Sequence, residues 1–263
     1  MLRPRLVASL LVDQHLHLVK TRQFDVRQYL GDPLNAAYVF SGFEVDELLV
    51  LDIDATPQGR TIPMSFVEAL ARFTTVPLTV GGGINSLEQI HDLLALGVEK
   101  VALSAVLADD FGFLRHAAER FGSSTITVIL NVLSPCGGET LAWFGRPDSG
   151  SSGLPLQDLA LAAQQAGAGE LVIQSVERDG LGQGYDVPVL ATLNNNLTIS
   201  LVALGGCGHS RHLAELLEVT PLSGLAAGSL FVYAPNSRQV LLNYPLTHRW
   251  LQQQLPGFQS LVR

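Results

Sequence analysis

The feature that most limits the fold is a series of eight short runs rich in Val, Ile and Leu, spaced along the chain between helical patterns. They read LVASLLV (6–12), ELLVLDI (47–53), PLTV (77–80), KVALS (100–104), TITVILNV (125–132), ELVIQSV (170–176), ISLVALG (199–205) and GLAAG (224–228). A strand with one wet face alternates apolar and polar residues. Near-continuous apolar runs therefore indicate strands buried on both faces, as in a parallel sheet covered by helices. Amphipathic helices are predicted over 33–43, 64–73, 87–96, 113–120, 156–165 and 211–217. Eight such units predict closure into one α/β domain, a (β/α)8 TIM barrel.

The chain also repeats itself. The stretch from Gly81-Gly82-Gly83 through Ser104 runs in register with that from Gly205-Gly206-Cys207 through Gly228, with Ser86 matching Ser210 and Leu93 matching Leu217. Glu47-Leu48-Leu49-Val50 parallels Glu170-Leu171-Val172-Ile173 in the same way. Any α/β barrel is loosely repetitive, but a register held this long favours two half-barrels, about 1–122 and 123–245, followed by a C-terminal extension, 246–263. Residues 132–153, rich in Pro and Gly around Trp143 and including GRPDSGSSG, read as a long loop or hairpin after strand five.

Composition narrows the function classes. The net charge of -8 and the lack of any run of five like charges argue against nucleic acid and anionic membranes as partners. No stretch reaches the roughly 18 apolar residues of a membrane helix, and the basic start before the first strand has no cleavage site. Cys136 and Cys207 form neither a disulfide framework nor a zinc spacing, and the seven histidines are scattered. A cytoplasmic protein without metal or cofactor is expected, acting on small molecules or another protein.

Barrel active sites are built at the C-terminal ends of the strands, and several motifs fall there. The glycine turns after strands three and seven let backbone N–H groups approach an anion. Ser104-Ala105 and Gly228-Ser229 would complete one phosphate cup in each half. A single such turn is more often only a tight connection; two equivalent cups favour a ligand phosphorylated at both ends. Asp52 and Asp54 after strand two, and Glu177-Arg178-Asp179-Gly180 after strand six, supply carboxylates for binding or acid/base work, although lone loop carboxylates are usually only solvated. Lys20 follows the first strand as a phosphate partner or the anchor of a mobile loop, against the commoner case of a surface lysine. Cys207 and His209 flank the second glycine turn. At the opposite end Arg5, Glu47, Lys100 and Glu170 open strands one, two, four and six. A ring of stabilising salt bridges is the usual reading of that end, and a gate across the axis is the alternative.

These residues resemble the HisF family over most of the chain, from Arg3 to about Phe231. The likeness lies in Gly31-Asp32-Pro33, VDELLVLDI, TVGGGI, LGVEKV, GAGELVIQS, Arg178-Asp179-Gly180, Gly184-Tyr185-Asp186 and Gly205-Gly206. The resemblance implies a subunit of imidazole glycerol phosphate synthase whose glutaminase partner, HisH, feeds ammonia through a charged gate into the barrel. The gate maps onto Arg5, Glu47, Lys100 and Glu170. The phosphate sites map onto Gly83, Ser104 and Ala105, and onto Gly180, Gly206, Gly228 and Ser229. Ser104 replaces an asparagine and Leu181 a threonine. The family's two catalytic aspartates are replaced by Leu11 and Asn131, which leaves Asn131, Asp179 and Asp52 as acid/base candidates. Leucine transfers no proton and an amide is no general base near neutral pH, so ring closure should be severely impaired.

Leu10-Leu11, Leu18-Val19-Lys20-Thr21, GDPLNA, AAGSLFVY and Leu241-Leu242-Asn243-Tyr244-Pro245 further resemble the WbuZ-type branch of surface-polysaccharide clusters. That branch implies delivery of ammonia from a HisH-like glutaminase to a sugar amidotransferase. The competing readings are a working cyclase of histidine biosynthesis, with Asp13, Asp52 or Asp179 standing in, and a noncatalytic barrel that binds a phosphorylated small molecule. The related isomerase family HisA shares the repeat but has no need of a gate.

Overall fold

The computed structural model describes residues 3–43, 45–108, 111–134, 139–144, 153–234 and 237–244. The predicted 246–263 extension, Cys136 and most of GRPDSGSSG lie outside the described residues. In chain order the elements are β1 (Arg5–Val12), β2 (Leu18–Arg22), β3 (Val26–Gly31), α1 (Pro33–Gly42), β4 (Glu47–Asp52), α2 (Met64–Phe73), β5 (Leu78–Gly81), α3 (Leu87–Ala95) and β6 (Lys100–Leu103). There follow α4 (Gly112–Phe121), β7 (Ile126–Leu133), β8 (Leu141–Trp143), β9 (Leu154–Pro155), α5 (Leu156–Gln165) and β10 (Glu170–Ser175). The described chain ends with α6 (Val187–Asn196), β11 (Ser200–Leu204), α7 (Arg211–Val219), β12 (Gly224–Ala227) and α8 (Ser229–Val232).

Eight parallel strands close in the order β1-β4-β5-β6-β7-β10-β11-β12, with β12 paired back to β1. The eight apolar runs thus become the eight barrel strands. Helix starts follow local chemistry. Asp32 caps α1 by accepting from the Leu34 N–H, and Pro33 sits at the first turn, where its missing N–H costs nothing. Ser86 and Gln89 form a reciprocal capping box on α3. Two helices, α6 and α8, were not predicted. In α6 the sequence VPVLATLNNN carries a proline, β-branched residues and three asparagines, all poor helix formers, yet the proline lies in the first turn, where it is tolerated.

Period-two alternation splits the apolar residues into two layers. One face of each strand packs under the helices in the main core, with Leu6, Ala8, Leu10 and Val12 as the β1 contribution. The other face fills the bore with Val7, Leu49, Ala102, Ile129, Val172, Val202, Leu204 and Ala226. The axis is a packed apolar column.

Two hairpins decorate the top. Strands β2 and β3 form an antiparallel pair on the edge of β1, so Lys20, expected on a mobile loop or at the surface, lies in a strand and is 8% exposed. After β7, strands β8 and β9 extend the sheet antiparallel, with Trp143 opposite Asn131; this is the hairpin form of the segment predicted after strand five.

Candidate functional site

At the N-terminal end of the barrel the four gate candidates meet. The Arg5 guanidinium donates to Glu47 from one nitrogen and to Glu170 from the other. Lys100 Nζ donates to the same two carboxylates, at 3.0 Å to Glu47 and 3.3 Å to Glu170. Thr79 Oγ1 donates to Glu47 at 2.5 Å and Thr127 Oγ1 to Glu170 at 3.2 Å. Burial weakens the charged form of Arg5, but attraction to Glu170 and Glu47 outweighs it and raises its pKa. Glu47, Lys100 and Glu170 are all buried. Two cations facing two anions leave no net charge in the ring, and the apolar column begins directly above. A cavity of about 260 Å³, lined partly by these four residues with Asp46 and Glu99, opens below them. The two threonines carry no signal in the sequence, because Thr in a strand is ordinary.

At the opposite end Asp52, Asp54 and Asp179 are brought to the mouth, each matched to a cation, while Glu177 accepts the Ser134 N–H at 3.4 Å. Asp52 is bonded by both terminal nitrogens of Arg60 and by the Asp54 N–H. Asp54 holds Arg27 in a two-pronged pair, 2.6 Å on each side. Those bonds to Arg27 hold the Asp54 carboxyl below its ordinary value. Asp179 is 2% exposed, with Lys20 Nζ at 3.2 Å on one oxygen and Thr21 Oγ1 at 2.5 Å on the other. All these carboxylate oxygens are already engaged. Arg27 and Arg60 were missed from sequence, since nothing local ties them to strand-end carboxylates.

The β2–β3 hairpin therefore spans the mouth. Arg27 fastens it to the end of β4, and Lys20 and Thr21 to the loop after β10. In the closed order β4 and β10 stand opposite one another. Gln23 adds backbone and side-chain bonds to Asp179 and Glu177 carbonyls.

The glycine turns are built for close approach. Gly83 has φ +62°, and an added Cβ would lie 1.8 Å from the Arg60 carbonyl oxygen; at Gly206, φ +93°, it would lie 2.1 Å from that of Gly184. Neither position admits another residue without rearrangement. Gly180 packs on the Thr21 carbonyl, and Gly228 lies beside the Lys20 ammonium, so Lys20 sits between them. Gly228 precedes Ser229, the first residue of α8. In the other half, Ser104 Oγ donates to the Ile129 carbonyl at 2.8 Å and Ala105 opens a short 3-10 turn.

Cys207 is buried against Tyr185, and burial pushes its thiol up to about 12, so it is not a reactive thiol at neutral pH. His212, also buried, accepts the Gly208 N–H through Nδ1 at 3.3 Å, and burial lowers its pKa. His209 lies outside this pocket, its ring accepting the Arg211 N–H. Leu11 and Asn131 occupy the upper ends of β1 and β7, both buried. Among the described residues no three His, Cys, Asp or Glu side chains are arranged to hold a metal ion. No helix among them is long and apolar enough to cross a membrane.

Comparison with known proteins agrees with this geometry. Residues 10–236 match the family described as histidine biosynthesis protein. A Leptospira interrogans protein, provisionally named imidazole glycerol phosphate synthase subunit HisF, is 37% identical over 245 residues, which is 93% of this chain and 96% of that protein. A Vibrio vulnificus (strain YJ016) relative, provisionally named as subunit hisF3, is 36% identical over 93% of this chain and 94% of its own length. Imidazole glycerol phosphate synthase subunit HisF of Bacillus cereus (strain AH187) is 32% identical over 89% of this chain and 92% of its own. With a closed eight-stranded barrel and matches over nearly its whole length, the chain belongs to the HisF-like family of histidine biosynthesis proteins.

Proposed function

We propose that this chain is the barrel subunit of a cytoplasmic, glutamine-dependent complex. It takes ammonia from a HisH-like glutaminase on its bottom face and conducts it along the axis to an amidotransferase acting on a surface-polysaccharide sugar. The observation that carries this reading is the charged ring of Arg5, Glu47, Lys100 and Glu170 below a bore whose upper end holds Leu11 and Asn131 where the family's cyclase uses aspartates.

The ring's ion pairs close the bore, and a partner on the bottom face opens it by drawing Lys100 or Arg5 aside. Above it the column of Val7, Leu49, Ala102, Ile129, Val172 and Val202 offers nothing to an ion. Dehydrating ammonium there would cost several kcal/mol, so the neutral molecule is what travels. The engaged state of Asp52, Asp54 and Asp179 supports delivery rather than chemistry at the mouth. The glycine turns, with Lys20 between Gly180 and Gly228, are assigned as phosphate cups that position the mouth against a phosphorylated ligand.

The test is to add the chain to the HisH-like glutaminase encoded beside it and measure glutamine hydrolysis. A stable complex with stimulated hydrolysis is expected; neither copurification nor stimulation would end the proposal. A second reading is favoured by the names of the relatives: a cyclase subunit of imidazole glycerol phosphate synthase. Growth of a histidine auxotroph lacking HisF, restored by this chain, would put that reading ahead.

A further inference from the structure

Immediately above the apolar column, four barrel strands turn from apolar to polar without acquiring charge. Ser9 follows Val7 by two residues, Asn131 follows Ile129 and Gln174 follows Val172, and period two keeps each on the axis-facing side; Ser104, just past the end of β6, follows Ala102. Gln174 is the register partner of Asn131 across the β10–β7 pair. Ser9 is 5% exposed, and Asn131 and Gln174 are each 6% exposed.

Buried polar groups are normally hydrogen-bonded, and leaving one unpaired costs about 1–3 kcal/mol. Ser104 obeys this through its bond to the Ile129 carbonyl. Among the described residues, neither the Ser9 hydroxyl nor the Gln174 amide has a protein partner. Nor are they sealed away: among the described residues the only buried side-chain atom that is both unpartnered and shut off from a water-sized molecule is Ser134 Oγ, beyond the end of β7. These two groups therefore face space that a small hydrogen-bonding molecule can occupy.

We propose that Ser9 and Gln174, with Asn131 beside Gln174, form a holding site for uncharged ammonia at the head of the bore, an inference that rests on the ammonia-conducting reading above. Ammonia has one lone pair and three N–H groups. The Ser9 hydroxyl donates to the lone pair, while the Gln174 carbonyl oxygen accepts from N–H. Ammonium has no lone pair for Ser9, and the carboxylates at the mouth are bound to Arg60, Arg27 and Lys20 and do not offset its desolvation. The site thus selects the neutral form and keeps it from picking up a proton before it leaves the barrel.

The experiment titrates the full-length chain with ammonium chloride at constant ionic strength, in buffers above and well below the pKa of ammonium. The side-chain amide NMR signals of Gln174 and Asn131 are followed. A saturable shift of both is expected in the alkaline buffer only, and Ser9→Ala should weaken it about fivefold, the worth of one neutral hydrogen bond. Gln174→Met, which keeps volume, should abolish saturation at Asn131; it serves as the second variant if Ser9→Ala fails to fold. Shifts that never saturate, that are equal in both buffers, or that persist in a folded Gln174→Met variant overturn the site. The titration needs no glutaminase, so its failure beside intact glutaminase stimulation removes the holding site and leaves the conduit. Saturable binding without stimulation does the reverse.

Discussion

At the bottom of the barrel four charged side chains turn inward and satisfy one another across the axis. At the top, three carboxylates are drawn to the periphery by Arg60, Arg27 and Lys20, and the bore carries hydroxyls, amides and leucines. The same ingredients are used to opposite effect. Charges meeting on the axis form a ring that is neutral overall. Charges paired at the rim fix the hairpin and loops.

The sharpest way to break this contrast is at the bottom ring. Lys100→Met leaves Glu47 and Glu170 sharing only Arg5, and an uncompensated buried carboxylate typically costs about 3–5 kcal/mol. Urea unfolding should show a loss of that size, together with uncoupled glutaminase activity if the partner is present. Next in size is the mouth. Gly83→Ala forces a side chain against the Arg60 carbonyl in a left-handed conformation, at about 1–3 kcal/mol in overpacking alone, again read by urea unfolding. Its added effect should be weaker ligand binding at the first cup, with the bottom ring untouched.

Two smaller effects concern pH. His212 has its pKa lowered by burial, so its contribution is present above the ordinary value of about 6.5 and is lost as pH falls from there through its lowered folded value. Thermal melts should show stability falling on mild acidification, and His212→Asn should flatten that fall. Asp54 likewise contributes above its unfolded pKa of about 3.9, and that contribution is lost as pH drops through its lowered folded value. Arg27→Met should shift acid unfolding to higher pH. The smallest effect expected is at Arg72–Glu68, an exposed helical pair: Arg72→Ala should cost no more than about 0.5 kcal/mol, a baseline against which the ring variants are judged.

The eight strands were legible because burial on both faces writes itself as unbroken apolar runs, and the four bottom charges because each opens such a run. The β2–β3 hairpin was not legible. VKTR and VRQY alternate too weakly to stand out, and what holds them is a set of partners far along the chain. The bond from Lys20 to Asp179 crosses 159 residues, and that from Arg27 to Asp54 joins residues with no shared motif. The carboxylates after strands two and six could be placed at the rim by topology, but their engagement by cations is a property of the closed molecule. Gln174 reads as a routine strand residue for the same reason: only closure puts it on an axis.

The bottom ring also says something about how the barrel forms. Arg5 reaches Glu170 across 165 residues of chain, and Lys100 joins Glu47 and Glu170 across 53 and 70. Loop closure over such separations comes late in folding. A chain that has made only β1 to β7 holds Arg5 and Lys100 with a single shared carboxylate. Arrival of β10 supplies the second, so charge balance on the axis is reached only when the ring of strands is nearly whole. Interactions formed that late slow unfolding more than they speed folding, and the ring thereby serves as a kinetic lock on the finished barrel.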